Sequence, residues 1–145
     1  MESDEILDAD ITASATKEGY TATDARLNGI GAWAADDFTI EWIQADIGYQ
    51  TYVSGVITQG DGNDGSWNSW VESFKVSTFL STNDTEVFVM NQDGTEIVFP
   101  GNTNKNTPVT TIFPAAVHAR IVRIICLTAG DDVYVLRFEI LGCKM

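Results

Sequence analysis

The sequence is short of positive charge: 8 Lys and Arg residues stand against 21 Asp and Glu, for a formal net charge of -13. A nucleic-acid binder needs a cationic face toward the phosphates, so that partner class is set aside. The same deficit weakens attraction to anionic membranes. Acid in excess also keeps a chain soluble, which accounts for much of it. No apolar run approaches the ~18 residues of a membrane-spanning helix. The opening MESDEILDAD is acidic where a secretion signal would be basic and then apolar. That leaves an intracellular chain or a segment of a larger secreted protein.

Catalytic vocabulary is equally sparse. The single histidine, His118, has no nucleophile at a recognisable spacing, and neither HExxH nor a nucleophile elbow occurs. His118 reads as a surface or packing residue, and the chain reads as a non-enzyme. There are two cysteines, Cys126 and Cys143. With Ala129 to Asp132 as a hairpin turn, they would lie roughly 25 Å apart at about 3.3 Å per residue. A disulfide tolerates about 7 Å between Cα atoms, so the two are not expected to pair with each other. Neither has a further Cys or His at metal-ligand spacing.

Sustained helical periodicity is also missing; short β-type segments separated by turn residues fill the chain. Its 145 residues suffice for a single domain, 1–145, with one core. Glu41 to Gly60 reads as a hairpin with its turn at Gly48 to Thr51. Ile43, Ala45 and Ile47 face one way in the first strand, and Trp42, Gln44 and Asp46 the other. The loop Gly60-Asp61-Gly62-Asn63-Asp64-Gly65 ends it. Ser14 to Asn28 reads as a loop carrying Tyr20. Gly29 to Thr39 reads as an irregular stretch with Trp33, Asp36, Asp37 and Phe38. Further strands are expected near Trp70 to Leu80, Glu86 to Met90, Ile97 to Phe99, Val109 to Phe113, Ala119 to Leu127 and Val133 to Leu141. In the last, Tyr134, Leu136, Phe138 and Ile140 share a face. The pattern predicts an all-β sandwich or jelly roll.

The motifs ITAS (11–14), ARLN (25–28), GAW (31–33), EWIQADIG (41–48), GVITQG (55–60), WVESFKV (70–76), FPGNTN (99–104), ARIVRI (119–124) and LRFEILGC (136–143) resemble, in order, the discoidin or coagulation-factor C-type domain family. The resemblance implies an eight-stranded antiparallel jelly roll of the galactose-binding-domain type, with ligand-binding loops at one end. These loops would be Ala15 to Asp24, Trp33 to Ile40 and Asp61 to Ser69. It also implies that Cys143 usually pairs with an N-terminal cysteine, which this chain lacks, and that Cys126 is a buried structural thiol. Family members bind galactose-type sugars, phosphatidylserine, collagen or peptides ending in arginine, in cell adhesion and surface recognition. An extracellular place in a larger secreted or membrane-attached protein follows, with a cytoplasmic lectin as the alternative.

Sugar recognition needs an aromatic ring against the pyranose face, with carboxylates and amides for its hydroxyls. Tyr20, Phe38 and Trp67, with Asp36, Asp37, Asp61, Asn63 and Asp64, form the candidate ligand-binding set. Trp33, Trp42 and Trp70 are expected in the core. The expected partner is a cell-surface glycan or an extracellular protein. A peptide ligand would use Asp37, placed before EW as in the arginine-capturing members, although Lys17 stands where those members carry an aromatic. A phosphatidylserine surface ranks lower because Lys17 and Arg26 are outnumbered by acids. No cofactor and no metal site is expected. Calcium is the one ion the clustered acids suggest, but Asp61-Gly62-Asn63-Asp64-Gly65 is only a fragment of an EF-hand pattern. Arg26 and Asp46 are read as a structural ion pair, and Asn83-Asp84-Thr85 as a glycosylation sequon.

Overall fold

The computed structural model describes residues 6–36, 39–62, 67–131 and 133–143. Among these are eight strands: β1 (Ile11–Ala13), β2 (Trp33–Asp36), β3 (Glu41–Gln59), β4 (Val71–Phe79), β5 (Val87–Phe88), β6 (Phe99–Pro100), β7 (Val109–Ala129) and β8 (Val133–Cys143). Every strand pairing is antiparallel. Two short 3-10 turns, Asp8–Asp10 and Ala22–Asp24, are the helical pieces.

The architecture is an open β-sandwich whose layers share two long strands. The first arm of β3 pairs with β1 on one side and with the second arm of β7 on the other; β4 then lies beyond β7. The second arm of β3 lies between β8 and the first arm of β7, with β2 on the outer edge of β8. Side chains from both layers meet in one core, including Ile43, Val56, Phe74, Ile124, Leu136 and Phe138, all fully buried. Phe74, Phe99 and Phe113 stack through it with centroids 5.6 and 5.8 Å apart. Alternation decides which residues go in, since period two is the pleat of a strand. Ile43 and Ala45 are buried while Trp42, Gln44 and Asp46 are half-buried on the outer face.

The expected hairpin at Glu41 to Gly60 is instead one strand turned through a corner. Its two arms bond to β1, β7 and β8 and not to each other. Between the pairs Asp46–Ile121 and Thr51–Ala119, residues 47–50 of β3 stand against Arg120 alone. The local chemistry of a turn is present: Gly48 has φ +89, open to glycine at little cost. The Asp46 carboxylate accepts the Gly48 N–H at 2.8 Å. Turn composition marks a change of direction but not which neighbour strand supplies the hydrogen bonds afterwards. For the same reason the segments expected at 109–113 and 119–127 are one strand, bending with β3.

That corner also revises the expected ion pairs. Asp46 binds Arg120 through both carboxylate oxygens, at 2.7 and 2.9 Å. Arg26 binds Asp8 at 2.6 Å and the Ile6 carbonyl at 2.8 Å, because the chain's early segment folds over it. The hairpin expected around Ala129 to Asp132 is corrected too. β8 crosses to the other layer, so Cys126 opposes Glu41 and Phe74 while Cys143 opposes Tyr52. Cys126 forms no disulfide and is fully buried. Of the tryptophans placed in the core, Trp33 is fully buried. Trp42 is half-buried under the Arg123 guanidinium, 3.9 Å from its ring, and Trp70 is half-buried against Gly130.

Two outcomes check this packing. A Cβ on Gly55, where β3 bulges, would sit 2.2 Å from the Thr111 carbonyl oxygen. Gly55→Ala should therefore cost about 3 kcal/mol or more in urea unfolding, the scale of a backbone clash in a packed sheet; an unchanged midpoint would refute the close approach. Burial pushes the Cys126 thiol pKa far up, suppressing the reactive thiolate. Iodoacetamide should leave Cys126 unmodified in the native protein and alkylate it in urea, as read by peptide mass mapping.

Candidate functional site

The ends of the long strands opposite the corner carry the three loops named from the sequence, and the fold brings them together. The first loop is held by backbone. Lys17 N–H donates to the Ala34 carbonyl at 2.8 Å and Ala34 N–H to the Tyr20 carbonyl at 3.2 Å, so the Lys17–Tyr20 turn clips onto β2. Buried Trp33 anchors the approach by donating its Nε1–H to the Ala15 carbonyl at 2.8 Å. Thr21 and Asp24 close the far side with a capping box. The second loop is largely β2 itself, an edge strand rather than the expected irregular stretch. The third loop is tied by the Asp61 carboxylate, which accepts the Trp67 N–H at 2.8 Å.

Tyr20 and Trp67 therefore meet edge to face, 6.4 Å between centroids. Both pack on a small apolar cluster of Ala32, Ala34, Val133 and Val135, separate from the main core. The Lys17 ammonium lies 5.4 Å from the Trp67 ring centroid and is paired with the Asp36 carboxylate. Asp36 is about half exposed, so the pair contributes order more than stability, on the scale of ~0–1 kcal/mol for surface ion pairs. The Trp67 Nε1–H is buried and has no partner among the described residues. An unspent donor of this kind is costly unless something accepts it.

Asp61 is almost wholly buried, below the aromatic surface rather than on it. It stands by Arg137, which donates from Nε to the Gly60 carbonyl at 2.7 Å and from Nη1 to the Gly29 carbonyl at 2.9 Å. Burial lowers the Arg137 pKa and the Asp61 charge opposes that shift. Asp37, Phe38, Asn63 and Asp64 lie outside the described residues. Among the described residues no group of three or more His, Cys, Asp or Glu is placed to hold a metal ion. His118 packs against Tyr52, 5.2 Å between rings, next to the corner and away from the loops.

Sequence reasoning named Tyr20, Asp36 and Trp67 but did not place Lys17 among them, nor Arg137 beneath. Arg137 carried a visible signal: a lone cation inside the apolar run VYVLRFEIL, on the strand face opposite Leu136 and Phe138. The anchoring geometry is testable through Trp33. Trp33→Phe keeps the apolar bulk and removes the bond to Ala15, so the Lys17 and Tyr20 amides should exchange hydrogen several-fold faster; unchanged protection would mean that the backbone clip suffices alone.

Residues 10–140 match the family model described as F5/8 type C domain. Over its full length the chain is 33% identical to neuropilin-1 of Homo sapiens, spanning 16% of that protein. The recombinant discoidin II of Dictyostelium discoideum superposes with a TM-score of 0.76 at 21% identity, over 93% of this chain and 55% of that one. The family 32 CBM from C. perfringens NanJ, solved in complex with galactose, superposes with a TM-score of 0.70 at 15% identity, over 93% of this chain and 96% of that one. At these identities the two structures bear on the fold.

Proposed function

The chain belongs to the F5/8 type C (discoidin) domain family, and on that premise we propose that it is a non-catalytic recognition module binding carbohydrate of the galactose type through the three clustered loops. One observation carries the reading: Tyr20 and Trp67 are brought edge to face on an apolar patch, with the Lys17–Asp36 pair alongside. The face of an aromatic ring suits the C–H face of a pyranose, and the flanking ammonium and carboxylate suit its hydroxyls. The galactose held by the NanJ module supports this ligand class for the fold. Asp37, Phe38, Asn63 and Asp64 stay in the proposed set on their sequence positions alone.

The second reading, a peptide ending in arginine or another protein ligand, draws on the similarity to neuropilin-1 over the whole of this chain and on the adjacent acids Asp36 and Asp37 in the sequence. A lipid surface has less support. Lys17 is already paired with Asp36 and Arg26 with Asp8, which leaves few cations for anionic headgroups. Because the chain spans only a small part of neuropilin-1, its placement in a larger extracellular protein is part of the proposal.

A glycan array, run with calcium and again with chelator, tests the reading. Terminal galactose-type glycans should bind, and Tyr20→Ala and Trp67→Ala should each weaken binding about tenfold, near the 1.4 kcal/mol that corresponds to a tenfold change. Circular dichroism should stay native in both. Equal binding by both variants would remove the aromatic surface from the site. Silence on glycans with capture of arginine-terminated peptides would establish the second reading instead.

A further inference from the structure

Asp61, which accepts the Trp67 N–H, also lines a recess of about 260 Å³ that the Tyr20–Trp67 surface does not account for. Asn28, Ile30, Asp61, Gly62, Asn106 and Arg137 line it. Arg137 is only 4% exposed, and while its Nε and Nη1 donate to carbonyls, its Nη2 is buried with no partner among the described residues. Nη2 lies against Gly62, where a Cβ would come within 3.1 Å of it. Arg137 is part of the recess wall, and its Nη2, without a partner among the described residues, is a donor left without an acceptor.

The chemistry of the wall narrows the acceptor. Asp61 already stands beside the guanidinium, so its charge is balanced and a further anion is not called for. The chain's formal charge of -13 argues the same way. Asn106 is exposed and its side-chain amide makes no hydrogen bond among the described residues, while Asn28 spends its side-chain oxygen on Gln59 at 3.1 Å. Ile30, fully exposed, gives the rim an apolar contact. Amide and guanidinium donors, a carboxylate and one apolar edge match a hydroxyl-bearing ring with C–H faces. The volume falls below the roughly 300–1,000 Å³ of sites for drug-sized ligands, which favours one ring.

We infer that this recess is a second subsite, accepting one neutral sugar ring by donation from Arg137 Nη2 and the Asn106 amide. The inference rests on the carbohydrate reading above and extends it. Asp61 holds the Trp67 N–H and also lines the recess, so the two surfaces are neighbouring subsites for successive units of one glycan.

The test is ¹H–¹⁵N NMR of the intact domain, titrated with the methyl glycosides of galactose, glucose and mannose. At least one should move the Gly62 and Asn106 amides and the Arg137 Nε–H in a saturable way. Asn106→Ala, an exposed position, should weaken that effect about fivefold, the scale of one lost hydrogen bond. Trp67→Ala should leave the recess shifts in place while abolishing those around Tyr20. Shifts confined to residues near Tyr20 and Trp67 would overturn the second subsite and leave the aromatic site standing. Recess shifts with unaltered affinity in Asn106→Ala would overturn the assigned contacts. No shift with any glycoside would overturn both carbohydrate readings.

Discussion

Everything in this fold depends on two strands turning one corner together. β3 and β7 each serve both layers of the sandwich, so the layers stay in register only if both strands bend at the same place. The mismatch of four residues against one is absorbed there, and the doubly bonded Asp46–Arg120 pair ties the long side to the short one. A planar guanidinium meeting a carboxylate through two bonds fixes orientation as well as distance. Charge alone would not, which is why the pair suits a bend that must have one shape.

The corner sets up the opposite end. With both layers anchored, the free strand ends converge and the loops between them are forced into contact. Their backbone groups are then satisfied locally, by the clip of Lys17 and Tyr20 onto β2 and by the Asp61–Trp67 bond. The result is a surface whose backbone is rigid and whose side chains are incompletely satisfied. Two buried donors at this end of the molecule, Trp67 Nε1 and Arg137 Nη2, have no partner among the described residues. Unsatisfied buried donors are rare in folded proteins, and these two lie at the end where we propose that a ligand binds.

Much of this was legible in the residues. Strand alternation put Ile43, Ala45 and Ile47 on one face and Tyr134, Leu136, Phe138 and Ile140 on another, and both faces turn to the core, with Ile47 and Ile140 at its partly buried margin. Composition marked the three loops. What failed was connectivity: the Gly48 turn looked like a hairpin and the 109–127 region like two strands. A local signal reports that the chain bends and is silent on the partner beyond the bend. The Arg26 pairing failed similarly, since either Asp8 or Asp46 satisfies the same charge and only the folded path chooses between them. Trp67 was named from the sequence, whereas Lys17 was read only as standing in place of an aromatic, and the fold brings Asp36 on β2 to it.

By itself, then, the sequence determined the strand content, the faces of the strands and the positions of the flexible-composition loops, because each follows from period-two patterning and turn chemistry within a few residues. Tertiary structure alone decided which strands lie side by side, which acid meets which base, and that Tyr20, Trp67 and Asp36 share one surface above Arg137. Those are contacts across tens of residues of chain. They are fixed by how a single core is closed, and no local pattern encodes that.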